Sequence, residues 1–228
     1  MEAKTPCASK CSGLIFEFLE SSIGKKIMVA LTGILLSGFL ITHLAGNLFL
    51  FAGEGAFNHY AEVLESNPLL PAAEIGLLVL FLVHIVLAAR ATLANRAARP
   101  QGYEVYKGKG ARTPGSRSMA ITGTLILAFL IVHLKTLRFN EDGETAGMYR
   151  LTTGLFLNPI YSGFYIASLL ALGVHLSHGF QSAFQTLGLN HPRYTPWIKR
   201  LGLIFALLIT VGFGSMPLYF GFMRGGVK

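Results

Sequence analysis

Five apolar runs, each long enough to cross a bilayer, take up most of this 228-residue chain. A membrane span needs about 20 residues at a rise of about 1.5 Å each. The runs cover residues 27–51, 71–95, 118–137, 159–187 and 196–222. In lipid the backbone must satisfy its own hydrogen bonds, so runs of this length fold as helices. Charged residues make up only 13% of the chain, about half the share in an ordinary soluble protein. The expected fold class is all-α: a leader, residues 1–24, then one integral membrane bundle of five transmembrane helices, residues 25–228.

The segments between the runs carry the punctuation of connections. The leader mixes Lys4, Lys10, Glu17 and Glu20 with small residues and lacks the apolar core of a signal peptide. Its Cys7 and Cys11 form an isolated C-x-x-x-C pair that implies no disulfide framework. Residues 52–70 read as a polar connection rich in Gly, Asn and Pro, residues 96–117 as a basic loop, and Glu141, Asp142 and Glu144 mark a short acidic loop. Pro196 suits the first turn of the last span, and Gly212, Gly214 and Pro217 are expected to loosen or kink its final third. With five spans, the leader and the second and fourth connections share one side. That side holds 14 of the 19 Lys and Arg residues. By the positive-inside rule the amino terminus is expected in the cytoplasm. The net charge of +8 is thus a topology signal first. It argues little for nucleic-acid binding, and it equally suits an acidic protein partner or anionic lipid at the basic face.

Histidine is costly inside such helices and normally faces a partner or cofactor. F-L-I-T-H-L at residues 39–44 and F-L-I-V-H-L at residues 129–134 differ at one position, and V-H-I at 83–85 and V-H-L at 174–176 continue the pattern. His43, His84, His133 and His175 therefore stand one per span on the first four spans, in equivalent apolar settings. Any one alone reads as well as a hydrogen-bonded structural histidine. One on each of four spans is explained directly by two bis-histidine haems, since each iron needs two axial imidazoles and facing helices supply them. Gly179, four residues after His175, shares its helix face and leaves room for something flat. Zinc would want its ligands at one point. Depth argues otherwise: at 1.5 Å per residue, His43 and His133 lie roughly 24–26 Å from the cytoplasmic edge and His84 and His175 roughly 16–18 Å. The ranking pairs His43 with His133 toward the outside and His84 with His175 toward the cytoplasm.

His178 competes with His175, and the V-H-L context favours His175, leaving His178 for the haem edge or a propionate. Propionates need cationic or hydrogen-bonding partners. Lys135 and Arg138 are candidates beside the outer pair, and Arg90, Lys199 and Arg200 beside the inner one; each also reads as a plain interfacial anchor. His59 and His191 fall in connections and read as surface residues.

With five spans, histidines on the first four, L-I-T-H-L-A-G-N-L near the end of the first and V-H-L-S-H-G-F-Q-S-A-F-Q-T-L-G-L in the fourth, the chain resembles one family over nearly all its length after the leader. That family is the single-chain di-haem cytochrome b anchor of bacterial succinate dehydrogenases and fumarate reductases. The fourth-span motif is the most specific part of the likeness. The resemblance implies that His43, His84, His133 and His175 ligate the iron of two haems b. It also implies a flavoprotein subunit carrying FAD and an iron–sulfur subunit docked on the cytoplasmic face, menaquinone or another quinone as membrane substrate, and a place in the bacterial cytoplasmic membrane.

The implied role is electron transfer between the iron–sulfur partner and quinone; no clustered arginines of a dicarboxylate site and no flavin-binding glycine-rich turn occur in this chain. Quinone turnover moves protons, so a carboxylate near its site is expected. Glu62 and Glu65, between the first two spans, are the candidates, and they read equally well as solvated loop acids. No acid lies mid-span, and Glu74 is near an outer end, so no carboxylate relay through the membrane is evident. Two rival functions are the cytochrome b subunit of a hydrogenase or formate dehydrogenase, and a proton-coupled transporter. The transporter reading expects broken helices and inverted repeats. The repeated histidine motif instead sits on helices running the same way.

Overall fold

The structure, a computed structural model, describes residues 17, 18, 20–97, 114–140 and 147–224. Cys7 and Cys11, the loop cations Arg99, Lys107, Lys109 and Arg112, and the loop acids Glu141, Asp142 and Glu144 lie outside the described residues. Among the described residues seven helices follow in order: α1 (Ser22–Asn47), α2 (Glu54–Glu65), α3 (Leu70–Ala97), α4 (Pro114–His133), α5 (Met148–Phe156), α6 (Pro159–Thr186) and α7 (Thr195–Met216). Five of them are long and apolar enough to cross a membrane: Ser22–Ala52, Leu70–Ala97, Ser118–Arg138, Pro159–Thr186 and Thr195–Met223. Among the described residues there is no strand.

Local chemistry sets the helix ends. Ser21 Oγ accepts the Gly24 N–H at 2.9 Å and opens α1. Asn158 Oδ1 accepts the N–H groups of Ile160 and Tyr161, with Pro159 in the first turn, and opens α6. Two spans end in π-helical turns, α4 over Leu134–Arg138 and α7 over Pro217–Met223. The Phe139 N–H accordingly reaches back five residues to Leu134 O, and Arg224 N–H to Tyr219 O. Of the three residues expected to loosen or kink this span, Gly212 and Gly214 stay within the α-helical run to Met216, and the helix geometry changes at Pro217, which offers no N–H to the ladder.

The connection expected to be irregular at residues 52–70 contains α2, and the stretch before the fourth span contains α5. Both are short and amphipathic, burying Phe57 from α2 and Thr152 and Phe156 from α5. They pack against each other at the end of the bundle away from the α1 amino terminus, here the far end. Asn58 Oδ1 joins them by accepting the Tyr149 N–H at 2.9 Å. Phe57 and Phe156 meet Leu50, Tyr165, Met216 and Phe220 in the larger apolar core.

Helix α6 is the hub. It packs against α7, α4 and α1, and buries seven of its residues, whereas α3 buries none. Helix α1 packs against α3, α6 and α7, and α3 touches α4 only lightly. The four histidine-bearing helices thus form a ring in the order α3, α1, α6, α4, with α7 braced outside α1 and α6. On this ring α1 lies diagonally from α4, and α3 from α6. Outward faces remain apolar, with Leu35, Ile75, Ile121 and Leu208 all exposed, as lipid contact requires.

Close approach of backbones sets part of the packing. A Cβ at Gly221 would lie 2.7 Å from both Phe156 O and Ser162 Oγ, and Ser162 is fully buried, its hydroxyl donating to Phe156 O at 2.7 Å. Neither obstacle can yield, because one is backbone and the other is held by that backbone. Gly221→Val is expected to destabilise the bundle by about 1–3 kcal/mol, the scale of overpacking. Gly163→Ala, with open space at its Cβ, serves as the control and should leave the thermal midpoint in detergent within a degree or two of wild type, on the order of the few tenths of a kcal/mol usual at unstrained sites.

Candidate functional site

The same-face rule places the interior histidines. In the ring of helices each sits toward the bundle axis, on diagonal partners: His43 on α1 faces His133 on α4, with ring centroids 5.9 Å apart and planes at 87°. His84 on α3 and His175 on α6 are close enough to interact electrostatically. Among the described residues no three His, Cys, Asp or Glu side chains converge, so the histidines meet in twos, not as a four-ligand centre.

At the level nearer the α1 amino terminus, both imidazoles have a threonine hydroxyl at Nδ1, and His84 also bonds the backbone of Val29. Thr32 Oγ1 on α1 lies 2.9 Å from His84 Nδ1, and Thr122 Oγ1 on α4 lies 3.1 Å from His175 Nδ1. Each threonine hydroxyl donates within its own helix, Thr32 to Met28 O at 2.7 Å and Thr122 to Ser118 O at 2.9 Å. With that proton committed, each oxygen accepts from the ring, so Nδ1 carries the hydrogen and Nε2 presents its lone pair.

The far level is asymmetric. His133 Nδ1 lies 3.0 Å from Tyr165 OH, which is bonded to Tyr161 OH at 2.8 Å, and Tyr161 OH to Thr136 Oγ1 at 2.7 Å. The π turn after His133 carries Thr136 into this chain. The His43 ring has Asn47 Nδ2 at 3.4 Å, near the limit of a hydrogen bond. Its ring is held instead between Phe39, stacked at 5.1 Å, and Phe213 at 5.5 Å.

These residues fit a flat cofactor bound through a central metal. His43 and His133 would supply one pair of imidazoles to such a metal, and at the other level the threonine bonds leave Nε2 of His84 and of His175 to supply the second. Gly179 has only Met119 Cε near its would-be Cβ, at 3.8 Å, which is ordinary contact.

The remaining sequence candidates are distributed as follows. His178 is half-buried, one turn from His175 and close enough to influence it electrostatically. Lys135 is exposed, and Arg138 is engaged with Glu74 through a 2.7 Å ion pair that ties the far ends of α4 and α3. Arg90 and Lys199 are exposed, and Arg200 sits over Trp197 at 5.3 Å, as an interfacial anchor does. Glu62 and Glu65 are exposed on α2. His59 and His191 are exposed as expected.

Sequence reasoning did not single out Thr32, Thr122 or Tyr165. The signal for the first two was available: A-L-T-G at residues 30–33 and A-I-T-G at residues 120–123 precede His43 and His133 by the same 11-residue interval from the threonine. Tyr165 offered no such signal, being one of three tyrosines and phenylalanines at 161, 164 and 165.

No protein-family model matches the chain, and no solved structure does. The chain is 28% identical over 181 residues to the succinate dehydrogenase cytochrome b558 subunit of Bacillus subtilis (strain 168), a stretch that spans 79% of this chain and 85% of that one. The similarity is in keeping with the resemblance read from the histidine motifs.

Proposed function

We propose that this chain is the membrane-anchor cytochrome b that carries electrons between the iron–sulfur subunit of a succinate dehydrogenase or fumarate reductase and quinone. The observation that carries the reading is the meeting of the four histidines in two diagonal pairs within one ring of helices. A subunit of a succinate-oxidising complex is the coarser reading, supported by the relative's name. Two haems b, the first between His84 and His175 and the second between His43 and His133, would supply reversible one-electron chemistry. Everything else is the work of the chain. Thr32 and Thr122 hold the tautomers of one histidine pair, Tyr165 holds His133, and the apolar helices exclude water from both levels. On this reading Lys135, Arg138 and His178 lie along the haem edges, and His175 is the axial ligand in preference to His178.

The partners on this reading are a flavoprotein with FAD and an iron–sulfur subunit on the side of the α1 amino terminus. That side is cytoplasmic if the chain sits in a bacterial inner membrane with the charge bias noted above. Menaquinone or another quinone reacts at the far end, with Glu62 and Glu65 as candidate proton-handling acids. The repeat argues against the transporter alternative, because α1 and α4 carry the same Thr-Gly and His elements and run in the same direction across the membrane.

Pyridine haemochromogen assay of the purified chain in its complex is expected to give two haems b per chain; one or none overturns the proposal. Among single alanine variants, loss of His84 or His175 should remove one redox component, and loss of His43 or His133 the other. His84 and His43 variants that lacked the same component would break the pairing.

His175 and His178 are three residues apart and point about 60° apart around the helix, so only one can be axial to a given iron. His175→Ala is expected to abolish the low-spin signal of its haem, while His178→Ala keeps both haems and at most moves one midpoint potential. The reverse pattern in electron paramagnetic resonance spectra would exchange the assignments.

A further inference from the structure

Helices α1 and α4 are copies of one design. Residues 30–44, A-L-T-G-I-L-L-S-G-F-L-I-T-H-L, align without gaps on residues 120–134, A-I-T-G-T-L-I-L-A-F-L-I-V-H-L. In each copy the threonine stands 11 residues before the histidine. Eleven residues are close to three helical turns, so both side chains face the bundle interior, roughly 16 Å apart. Each helix therefore offers a histidine at the far level and a threonine at the near level. The threonines do not meet each other. Each meets the histidine of a neighbouring helix, Thr32 on α1 bonding His84 on α3, and Thr122 on α4 bonding His175 on α6.

The glycine after each threonine completes the arrangement. A Cβ at Gly33 would stand 3.4 Å from His84 Cε1, and one at Gly123 would stand 3.6 Å from His175 Cε1. Each imidazole thus lies against bare backbone while its Nδ1–H is drawn to the adjacent hydroxyl. Thr32 and Thr122 are 5% and 6% exposed, so water does not compete for these bonds. A hydrogen bond from Nδ1–H to an acceptor makes the opposite nitrogen a stronger donor to a metal and fixes the ring's rotation.

We propose that the Thr32–Gly33 and Thr122–Gly123 pairs are duplicated positioning elements that orient His84 and His175 and set the redox potential of the group those histidines share. The inference rests on the reading of that pair as axial ligands. It adds that the potential at this level is governed by two threonines on helices that do not themselves supply its ligands. Removing an acceptor weakens donation from Nε2, which favours the reduced iron and raises the midpoint potential. A role confined to helix packing would alter stability and leave the potential unmoved.

The test is potentiometric titration of the intact complex in membranes, with Thr32→Val and Thr122→Val, the double variant, and Thr→Ser at each position. Each valine variant is expected to raise the midpoint of the same component, the one lost in His84→Ala. The oxidised-to-reduced ratio at fixed ambient potential should change roughly two- to tenfold, the scale of one buried hydrogen bond. The double variant should move further, serine should restore the wild-type value, and the other component should not shift. Unchanged midpoints in both valine variants, shifts in two different components, or serine variants as displaced as valine would overturn the proposal. Should a valine variant lose its haem, retention in serine supports the hydroxyl's role, and loss in serine as well refers the effect to packing and overturns it. Failure of the underlying two-haem reading would show separately, as fewer than two haems in the unmodified protein.

Discussion

The structure depends on the cost of placing an imidazole in an apolar slab. Each histidine ring brings two polar nitrogens into a region where water cannot compensate them, and an unmatched group there costs several kcal/mol. The bundle meets that cost with specific neighbours. Thr32 and Thr122 take Nδ1 of His84 and His175, Tyr165 takes Nδ1 of His133, and stacked Phe39 and Phe213 enclose His43. These requirements decide which helices can be adjacent. Helix α3 must lie beside α1 for Thr32 to reach His84, and α6 beside α4 for Thr122 to reach His175. The ring order follows from those two contacts together with the α1–α6 interface.

The same polar contacts explain why α6 is the best-buried span and α3 the least. Helix α6 presents Tyr161, Tyr165 and His175 to α4 on one face, and Leu176 and Gly173 to α7 on another, where Ala206 and Ile209 pack and Thr210 Oγ1 comes up against Gly173. Small residues at that crossing let the backbones approach, which is how helices associate in lipid without a hydrophobic driving force. Helix α3 packs mainly on α1, and at its far end it is tied to α4 by the Glu74–Arg138 ion pair. That pair is about half exposed, so its strength is modest, on the order of 0–1 kcal/mol.

Much of this was legible in the chain, for reasons that also explain what was not. Span positions lay within a few residues of those observed, because apolar content over about 20 residues is a strong signal and Pro196 sharpens it. Helix α2 lies in a stretch that reads only as a polar connection and α5 in one with no reading of its own, because each has a single apolar face that acquires meaning only against the aromatic residues at the far end. The placement of the four histidines was visible because one-per-span repetition is rare. Their partners were hidden because a threonine in an apolar helix looks like one more small residue that bonds back to its own carbonyl. The ion pair of Arg138 with Glu74 was hidden too, being a tertiary contact between residues 64 positions apart.

The duplication makes the difference between the two levels informative. Tyr165 stands ten residues before His175, and Glu74 stands ten before His84, so the two occupy equivalent places on α6 and α3. In one half this place holds a phenol inside the core, bonded to His133; in the other it holds a half-exposed carboxylate turned to Arg138. The threonine–histidine contacts near the α1 amino terminus are alike in both halves, while the far level differs in partner, burial and charge. On the proposed reading, the symmetric near level suits a group that exchanges electrons alone. The far level has hydroxyls in series from His133 through Tyr165 and Tyr161 to Thr136, and an ion pair at its rim. On the same reading, those features suit electron transfer to a polar, proton-bearing partner.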